Sequence, residues 1–213
     1  TTATLPVSVA AVADAPTLEV SAASGDEDTA IALDIASALT DTDGSEVLSV
    51  TIDGIPEGAV LSTGTVNDDG SVTLTPAQLE GLTITPASDS DADFTLGVTA
   101  LSTDGTDIAT TTATLPVTVA AVADAPTLEV SAASGDEDTA IALDIASVLT
   151  DTDGSEVLTV NIDGIPEGAV LSAGTVNDDG SVTLTAEQLE GLTITPAADS
   201  DADFNLTVTA TST

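Results

Sequence analysis

The sequence contains no Lys, Arg or His, and it also lacks Cys, Met, Trp and Tyr. Its 37 Asp and Glu residues therefore have no basic side chain with which to form an ion pair, and the formal charge is −37. Such a chain cannot neutralise a phosphate, which excludes binding to nucleic acid or to an anionic membrane. The missing residue types also exclude a Ser-His-Asp or Cys-His apparatus, a Schiff base and an arginine finger.

Aromatic side chains are almost as scarce, since Phe94 and Phe204 are the only two. Without Trp or Tyr there is no stacking platform for a sugar or a base. The remaining enzyme class is a glycosidase with paired carboxylates, and the lack of aromatics to hold a sugar argues against it. We therefore expect no enzymatic activity. The absence of Cys excludes disulfides but not an extracellular location.

What the chain does contain is enough apolar material for a core. Hydrophobic residues make up 42% of the sequence, and the mean hydropathy is +0.34. High net charge is typical of disorder, but abundant Val and Thr favour strands. We therefore predict a β-rich fold whose carboxylates are neutralised by bound cations. With no initiator Met, signal peptide or long apolar stretch, the sequence is expected to be a piece of a larger protein.

An internal repeat organises the chain. Positions 1–103 align without gaps on positions 111–213, and only eleven pairs differ. The period of 110 residues is too long for a solenoid unit and fits a whole immunoglobulin-like sandwich. Seven or eight short strands per period, separated by turns such as DTDG, NDDG and TDG, also predict an all-β sandwich. In the first repeat the strand candidates are 17–21, 29–35, 47–53, 58–63, 71–75, 82–85, 93–102 and 107–122, and one helical turn is predicted over 76–82.

The motif VADAPTL marks the predicted joint between modules, at 12–18 and 122–128. It follows one long strand candidate and precedes the first strand candidate of the next module. The predicted organisation is therefore a last strand of a preceding module at 1–13, a complete module at 16–124, and a second module at 126–213 that lacks its last strand.

The carboxylates are concentrated in short loops. In the first repeat these are DED (26–28), DTDGSE (41–46), NDDG (67–70), DSDAD (89–93) and DGTD (104–107), with Asp14 in the joint. In a D-x-D spacing two carboxylates return to the same side, and Ca²⁺ accepts roughly six to eight oxygens in irregular loops. The lack of nitrogen and sulfur ligands argues against zinc, copper and iron. We predict that DTDGSE and DSDAD bind Ca²⁺ and that NDDG is a hairpin turn without a metal.

The order of these motifs resembles a known family. The segments GDEDTAIALDIASALTDTDGSEVLSVTI, DSDADFTLGV and VADAP are similar to the cadherin-like immunoglobulin repeats of giant bacterial RTX adhesins. The similarity covers the whole chain and is strongest to the extender repeats of long adhesion proteins from marine Gram-negative bacteria. It implies tandem calcium-bound β-sandwiches in an extended rod, with calcium inside modules and at their joints.

The resemblance also implies the calcium ligands, through its EDT, DxD and DxDAD elements and the joint. In the first repeat they are Asp14, Glu27, Asp41, Asp43, Glu46, Asp89, Asp91 and Asp93; in the second they are Asp124, Glu137, Asp151, Asp153, Glu156, Asp199, Asp201 and Asp203. Asp104 and Asp107 of the DGTD loop complete the predicted set.

The expected function is a structural extender, or spacer, of a secreted adhesin on the surface of a Gram-negative bacterium. Bound calcium would make it rigid, so that ligand-binding domains project from the cell. The alternative is a calcium-dependent module that binds a glycan or a surface. The expected partners are neighbouring repeats of the same protein. Strand complementation between residues 1–13 of one chain and the incomplete module of another is also available.

Overall fold

The computed structural model describes residues 2–213 and divides the chain into two compact units. Unit 1 ends at Val122, and unit 2 spans Ala123–Thr213. The predicted terminal strand at 1–13 includes Thr1, which lies outside the described residues. Residues 2–13 are assigned to no strand. The predicted module boundaries stay a prediction.

Unit 1 is built almost entirely of strands. They are β1 (Thr17–Val20), β2 (Ala23–Asp26), β3 (Ile31–Ala32), β4 (Ile35–Ala38), β5 (Val47–Asp53), β6 (Val60–Leu61), β7 (Thr65–Val66), β8 (Val72–Leu74), β9 (Thr83–Thr85), β10 (Phe94–Asp104) and β11 (Asp107–Ala120). One six-stranded sheet has the order β2-β11-β10-β5-β8-β7. The order β3-β9-β6 forms a second sheet, and β1 pairs with β4.

The core of unit 1 lies between these sheets. In β5, alternate residues Leu48, Val50 and Ile52 are buried, as the apolar-polar alternation predicts. They belong to one cluster with Ile84 of β9 and Ile35 of β4. The predicted all-β sandwich is therefore confirmed.

Two predicted elements differ from the structure. The strand predicted over 29–35 is split into β3 and β4, and at the break the N–H of Leu33 bonds to the carbonyl of Leu82. The sequence Ala-Ser-Gly-Asp at 23–26 was not predicted as a strand, because Gly and Asp are poor strand formers. It forms β2 through parallel pairing with β11.

Unit 2 repeats most of this arrangement. Its strands are β12 (Thr127–Val130), β13 (Ile141–Ala142), β14 (Ile145–Val148), β15 (Leu158–Asp163), β16 (Val170–Leu171), β17 (Thr175–Val176), β18 (Val182–Thr185), β19 (Thr193–Thr195) and β20 (Thr207–Ser212). The sheets have the orders β17-β18-β15-β20, β13-β19-β16 and β12-β14. Within residues 123–213 no strand corresponds to β2 or β11, so β20 is an edge strand.

Helical structure is confined to two 3₁₀ turns in the described part of the chain. They span Pro76–Gln78 and Ala186–Leu189. The first lies inside the helical turn predicted over 76–82. From residue 2 to residue 213 there is no helix with the length and apolar character needed to cross a lipid bilayer.

Candidate metal centre

The joint residue Asp14 is attached to the DTDGSE loop of unit 1. This loop connects β4 to β5, and Asp14 precedes β1 by three residues. The backbone N–H of Asp14 donates a hydrogen bond to Oε1 of Glu46 at 2.5 Å. A residue 32 positions away in sequence therefore fixes the segment that leads into the sandwich.

Three carboxylates meet at this point. Asp14, Asp41 and Glu46 each offer an oxygen, and these oxygens all lie within 4.8 Å of one another. Asp14 is exposed and Asp41 is half-buried, whereas Glu46 is only 7% exposed. The second oxygen of Glu46, Oε2, is buried with no hydrogen-bond partner.

This arrangement fits a hard cation. An ionised carboxylate that is buried without a partner is strongly destabilising unless a counter-charge satisfies it, and the chain has no basic side chain to supply one. All the donors are oxygens, which suits Ca²⁺. Asp14, Asp41 and Glu46 are the residues that would hold it in unit 1.

Hydrogen bonds within the loop fix the conformation of its two Asp residues, of which only Asp41 belongs to the three-carboxylate cluster. The N–H of Asp43 bonds to Oδ1 of Asp41 at 2.9 Å, and the N–H of Ser45 bonds to Oδ1 of Asp43 at 2.8 Å. Each Asp side chain thus closes a turn two residues long. Between Asp43 and Ser45, Gly44 has a φ of +92°, a conformation that favours glycine. The bonds from Ser45 lower the pKa of Asp43, so this carboxylate stays charged.

Unit 2 repeats the hydrogen bonds of this site, but among the described residues Asp124, Asp151 and Glu156 do not form a three-carboxylate cluster like that of unit 1. The N–H of Asp124 donates to Oε1 of Glu156 at 2.5 Å, and the N–H of Asp153 donates to Oδ1 of Asp151 at 2.8 Å. Glu156 is 9% exposed, its Oε2 is likewise buried without a hydrogen-bond partner, and Asp151 is buried. The recurrence follows from the sequence, because both loops read DTDGSE and both joints read VADAP.

The DGTD loop lies at the turn between β10 and β11. Asp107 accepts the N–H of Ala13 at 2.9 Å, and Asp104 lies 3.5 Å from the Ser45 hydroxyl. Both residues therefore touch segments that flank the Asp14–Asp41–Glu46 cluster. Neither belongs to that three-carboxylate cluster in the described structure.

The EDT and DSDAD elements of unit 1 hold the end of β11. Buried Glu27 accepts the N–H of Val122 at 2.7 Å, and its own N–H donates to the carbonyl of Ala120 at 3.0 Å. Asp93 accepts the N–H of Val119 at 2.9 Å. In the structure these carboxylates have a backbone-anchoring role that their acidic spacing did not predict.

The corresponding residues of unit 2 are in a different state. Glu137 and Asp201 are exposed, whereas their counterparts Glu27 and Asp91 are buried and half-buried respectively. Asp93 and Asp203 are both exposed. The segments GDEDT and DSDADF are each identical in the two repeats. The difference coincides with the lack of a β11 equivalent within residues 123–213.

One residue that the sequence reasoning left aside has a clear role. Asp28 adopts a φ of +54° and accepts the N–H of Asp89 at 3.1 Å. Asp138 and Asp199 repeat this contact at 3.0 Å. The available signal was the position of Asp28, because Asp is among the few residues that tolerate the left-handed conformation in a turn.

The NDDG loop is closed by its own hydrogen bonds. The N–H of Asn67 bonds to the carbonyl of Ser71 at 2.8 Å, and the N–H of Gly70 bonds to the carbonyl of Asn67 at 3.0 Å. Asp69 accepts both the hydroxyl and the N–H of Ser71, which lowers the pKa of its carboxyl. Turn chemistry therefore accounts for Asp69.

Comparison with known proteins gives only distant matches. No family model matches the chain, and no curated protein sequence matches it. Among solved structures, it is similar to the titin domains Z1Z2 in complex with telethonin, with 14% identity, 94% of this chain and 91% of that chain covered, and a TM-score of 0.35. It is also similar to the D00-D0 domain of intimin, with 15% identity, 93% of this chain and 92% of that chain covered, and a TM-score of 0.28. For the Yersinia pseudotuberculosis adhesin InvE the identity is 12%, 92% of this chain and 58% of that chain are covered, and the TM-score is 0.27.

Proposed function

We propose that this chain is a non-enzymatic spacer of an extracellular adhesin, stiffened by calcium bound where the chain enters each sandwich. The observation that carries this proposal is the pair of buried glutamates. Glu46 and Glu156 each hold the N–H of a joint Asp with one oxygen and leave the other oxygen buried without a partner.

Repulsion among the carboxylates of this site favours the binding of a cation. Two unit charges about 4 Å apart repel by roughly 4 kcal/mol at an effective dielectric constant near 20. Asp14, Asp41 and Glu46 place three carboxylate oxygens within 4.8 Å. A divalent ion bound to them replaces this mutual repulsion with attraction, and its binding free energy adds to the stability of the folded unit.

The position of the site connects this binding to stiffness. Asp14 and Asp124 lie at the beginning of the two sandwiches, three residues before β1 and β12 respectively. Tying each Asp to a loop of its own sandwich removes freedom from the peptide that leads into it. A spacer needs restriction of this kind at every joint.

The composition supports a spacer rather than a catalyst. Two nearly identical repeats carry no nucleophile-base pair and no aromatic platform. Oxygen-only sites in extracellular modules typically bind Ca²⁺ with Kd values of about 10⁻⁴–10⁻³ M. A partly exposed site of this type suits the calcium concentrations outside the cell, on the surface of a Gram-negative bacterium.

Small-angle X-ray scattering tests the proposal in calcium, in magnesium and in chelator. We expect calcium alone to narrow the distribution of interatomic distances, because it restricts the joint. The variant Glu156→Gln should lose most of this narrowing, whereas Glu167→Gln, an exposed residue of the same unit, should keep it. Identical curves in all three solutions would remove calcium from the mechanism.

A further inference from the structure

A serine hydroxyl is buried at one end of the unit 1 core. Strand β10 turns alternate side chains inward, and Val98, Ala100 and Ser102 are each at most 1% exposed. The first two belong to the apolar core cluster. The hydroxyl oxygen of Ser102 is buried as well, and it has no hydrogen-bond partner in the described part of the chain. A row of apolar side chains thus ends on an unsatisfied polar group.

Such a hydroxyl is unfavourable unless something binds it. Burial removes the water that would satisfy the group, and this cost is larger than the net gain from an ordinary hydrogen bond. An alanine would fill the position without the cost, as Ala100 does two residues earlier on the same face. An oxygen at position 102 therefore points to a binding partner that is not a protein group.

The strand register places Ser102 beside the three-carboxylate cluster. Ser102 is directly opposite Leu48 of β5, and Glu46 precedes Leu48 by two residues on the same buried side. Diagonal neighbours of this kind are about 7–8 Å apart, which is within reach of a long side chain. The Oε2 atom of Glu46 is likewise buried with no hydrogen-bond partner. Two unsatisfied oxygens thus lie on the same face and at the same end of the sandwich.

The peptide that carries Asp14 is anchored on both sides of Ser102. Thr111 of β11 lies on the inward face, one row from Ser102 toward the middle of the sheet. Its hydroxyl donates to the carbonyl of Pro16 at 2.6 Å. Glu46, one row from Ser102 in the other direction, accepts the N–H of Asp14. The peptide from Asp14 to Pro16 therefore covers the row that contains Ser102.

We propose that the Ser102 hydroxyl is a neutral ligand of the cation held by Asp14, Asp41 and Glu46. The inference rests on the proposed function, because it adds a ligand to the same site. Ca²⁺ takes about six to eight oxygens, and one oxygen of Glu46 already accepts the N–H of Asp14. A hydroxyl supplies a further oxygen without adding negative charge to a cluster of carboxylates that repel one another.

Unit 2 repeats the relationship. Ser212 of β20 is opposite Leu158, which follows Glu156 by two residues. The hydroxyl oxygen of Ser212 and the Oε2 of Glu156 are both buried with no hydrogen-bond partner. Because β20 is an edge strand in the described structure whereas β10 is not, burial of this hydroxyl does not depend on a strand such as β11. Ser212 has the same role beside Glu156.

Ligation by Ser102 connects the site to the middle of a sheet. Asp14 comes from the peptide that leads into the sandwich, and Asp41 and Glu46 come from a loop. Ser102 comes from β10, which is paired on both sides, with β11 and with β5. A ligand on a paired strand is held more precisely than one on a loop. The cation therefore fixes the entering peptide to a rigid element of unit 1.

Calorimetric titration of calcium tests this assignment. The parent chain carries Glu156→Gln, which weakens the unit 2 site, and Ser102→Ala is added to it. Replacing a residue that only orients a metal ligand weakens metal binding by about 10–100-fold. Loss of a ligand should therefore raise the calcium Kd of the unit 1 site by about tenfold or more.

Ser49→Ala in the same parent is the matched control. Ser49 lies on β5 opposite Leu101, on the other face of the same sheet, and is half-buried. Unit 2 has Thr159 at the corresponding position, so the position accepts a change of side chain. This variant should keep the calcium Kd of the parent. An equal rise in Kd for both serine variants would overturn the proposal.

Thermal unfolding in chelator distinguishes a ligand from a structural hydroxyl. Without calcium, Ser102→Ala should have a Tm equal to or above that of the parent, because it removes an unsatisfied buried group. A Tm that falls in chelator would show that the hydroxyl supports the fold itself, and would overturn the proposal. An unchanged Kd in Ser102→Ala would refute ligation by this serine and leave the proposed function standing, whereas a wild-type chain that binds no calcium would refute both.

Discussion

Glu46 accepts the backbone N–H of Asp14 at 2.5 Å with Oε1, while its Oε2 is buried with no hydrogen-bond partner. The first contact orients the peptide that leads into the sandwich. The second oxygen remains to be satisfied by a cation. One side chain therefore couples ion binding to the conformation of the joint, and Glu156 repeats the relationship with Asp124.

Replacing Glu46 with Gln should separate these two roles. The amide still accepts the N–H of Asp14 but removes a negative charge from the cluster. At a calcium concentration about a hundredfold above Kd, a bound ion stabilises the folded unit by about 2.7 kcal/mol. For a unit of this size the variant should therefore lose roughly 10 °C of calcium-dependent increase in Tm, measured by calorimetry.

The matched control for this experiment is Glu57→Gln, an exposed carboxylate of the same unit. It removes the same charge and should keep the calcium response of the wild type. In chelator, Glu46→Gln should be at least as stable as the wild type, because it relieves carboxylate repulsion. An unchanged calcium response in Glu46→Gln would contradict a metal site at this residue.

Two substitutions of Asp28 distinguish the contribution of its backbone conformation to stability from that of its charge. Its φ is +54°, and its Oδ1 accepts the N–H of Asp89. Asn tolerates the left-handed region and keeps an acceptor, so Asp28→Asn should change the free energy of unfolding little. Asp28→Ala loses the acceptor and should cost about 1–2 kcal/mol from the left-handed conformation alone, measured by urea unfolding. Equal losses in the two variants would show that charge dominates.

The two units should differ in stability although their sequences are nearly identical. Leu96 is fully buried in the core of unit 1, whereas its counterpart Leu206 is half-buried and lines a cavity of about 700 Å³ in unit 2. Leu96→Ala should cost about 2–5 kcal/mol, and Leu206→Ala should cost clearly less. Urea unfolding at low protein concentration should show two transitions, each shifted by one variant. A larger loss from Leu206→Ala would contradict the packing difference.

The pH dependence of the NDDG turn follows from Ser71. Its hydroxyl and its N–H bond to Oδ1 of Asp69 at 2.7 and 3.0 Å, and the hydroxyl contributes most to lowering the pKa of this carboxyl. A lowered folded-state pKa stabilises the turn above the unfolded value of about 3.9, and this stabilisation is lost as the pH falls through the folded-state pKa. Ser71→Ala should raise the pKa of Asp69 toward its ordinary value, as measured by carboxyl NMR titration. Ser181→Ala should act on Asp179 in the same way, and an unshifted titration would refute the assigned cause.

The sequence predicts the sandwich well because its strands alternate strictly. Strand β5 has the predicted bounds, from Val47 to Asp53, since apolar and polar residues alternate from Leu48 to Asp53. Strand β2 escaped prediction because Ala-Ser-Gly-Asp has little strand propensity. It is a strand only where β11 lies beside it, and the identical residues 133–136 form none. Tertiary pairing decides that element.

The acidic motifs were harder to interpret than the strands. A D-x-D spacing predicts that carboxylates converge within a loop, and Asp41 with Asp43 do share such a loop. Spacing cannot tell which loop meets which distant segment. The contact of Asp14 with Glu46, and that of Asp93 with Val119, depend on how the sheets close. For the same reason a motif could not distinguish a metal ligand from a carboxylate that anchors a strand.

Isothermal titration of calcium into metal-free protein tests the central claim most directly. The wild type should give a measurable heat of calcium binding. Magnesium should compete only weakly with calcium for these sites. The double variant Glu46→Gln with Glu156→Gln should lose two binding events per chain relative to Glu57→Gln with Glu167→Gln, which removes the same charge from exposed positions. Unchanged stoichiometry and affinity in the first double variant would contradict calcium binding at the two buried glutamates.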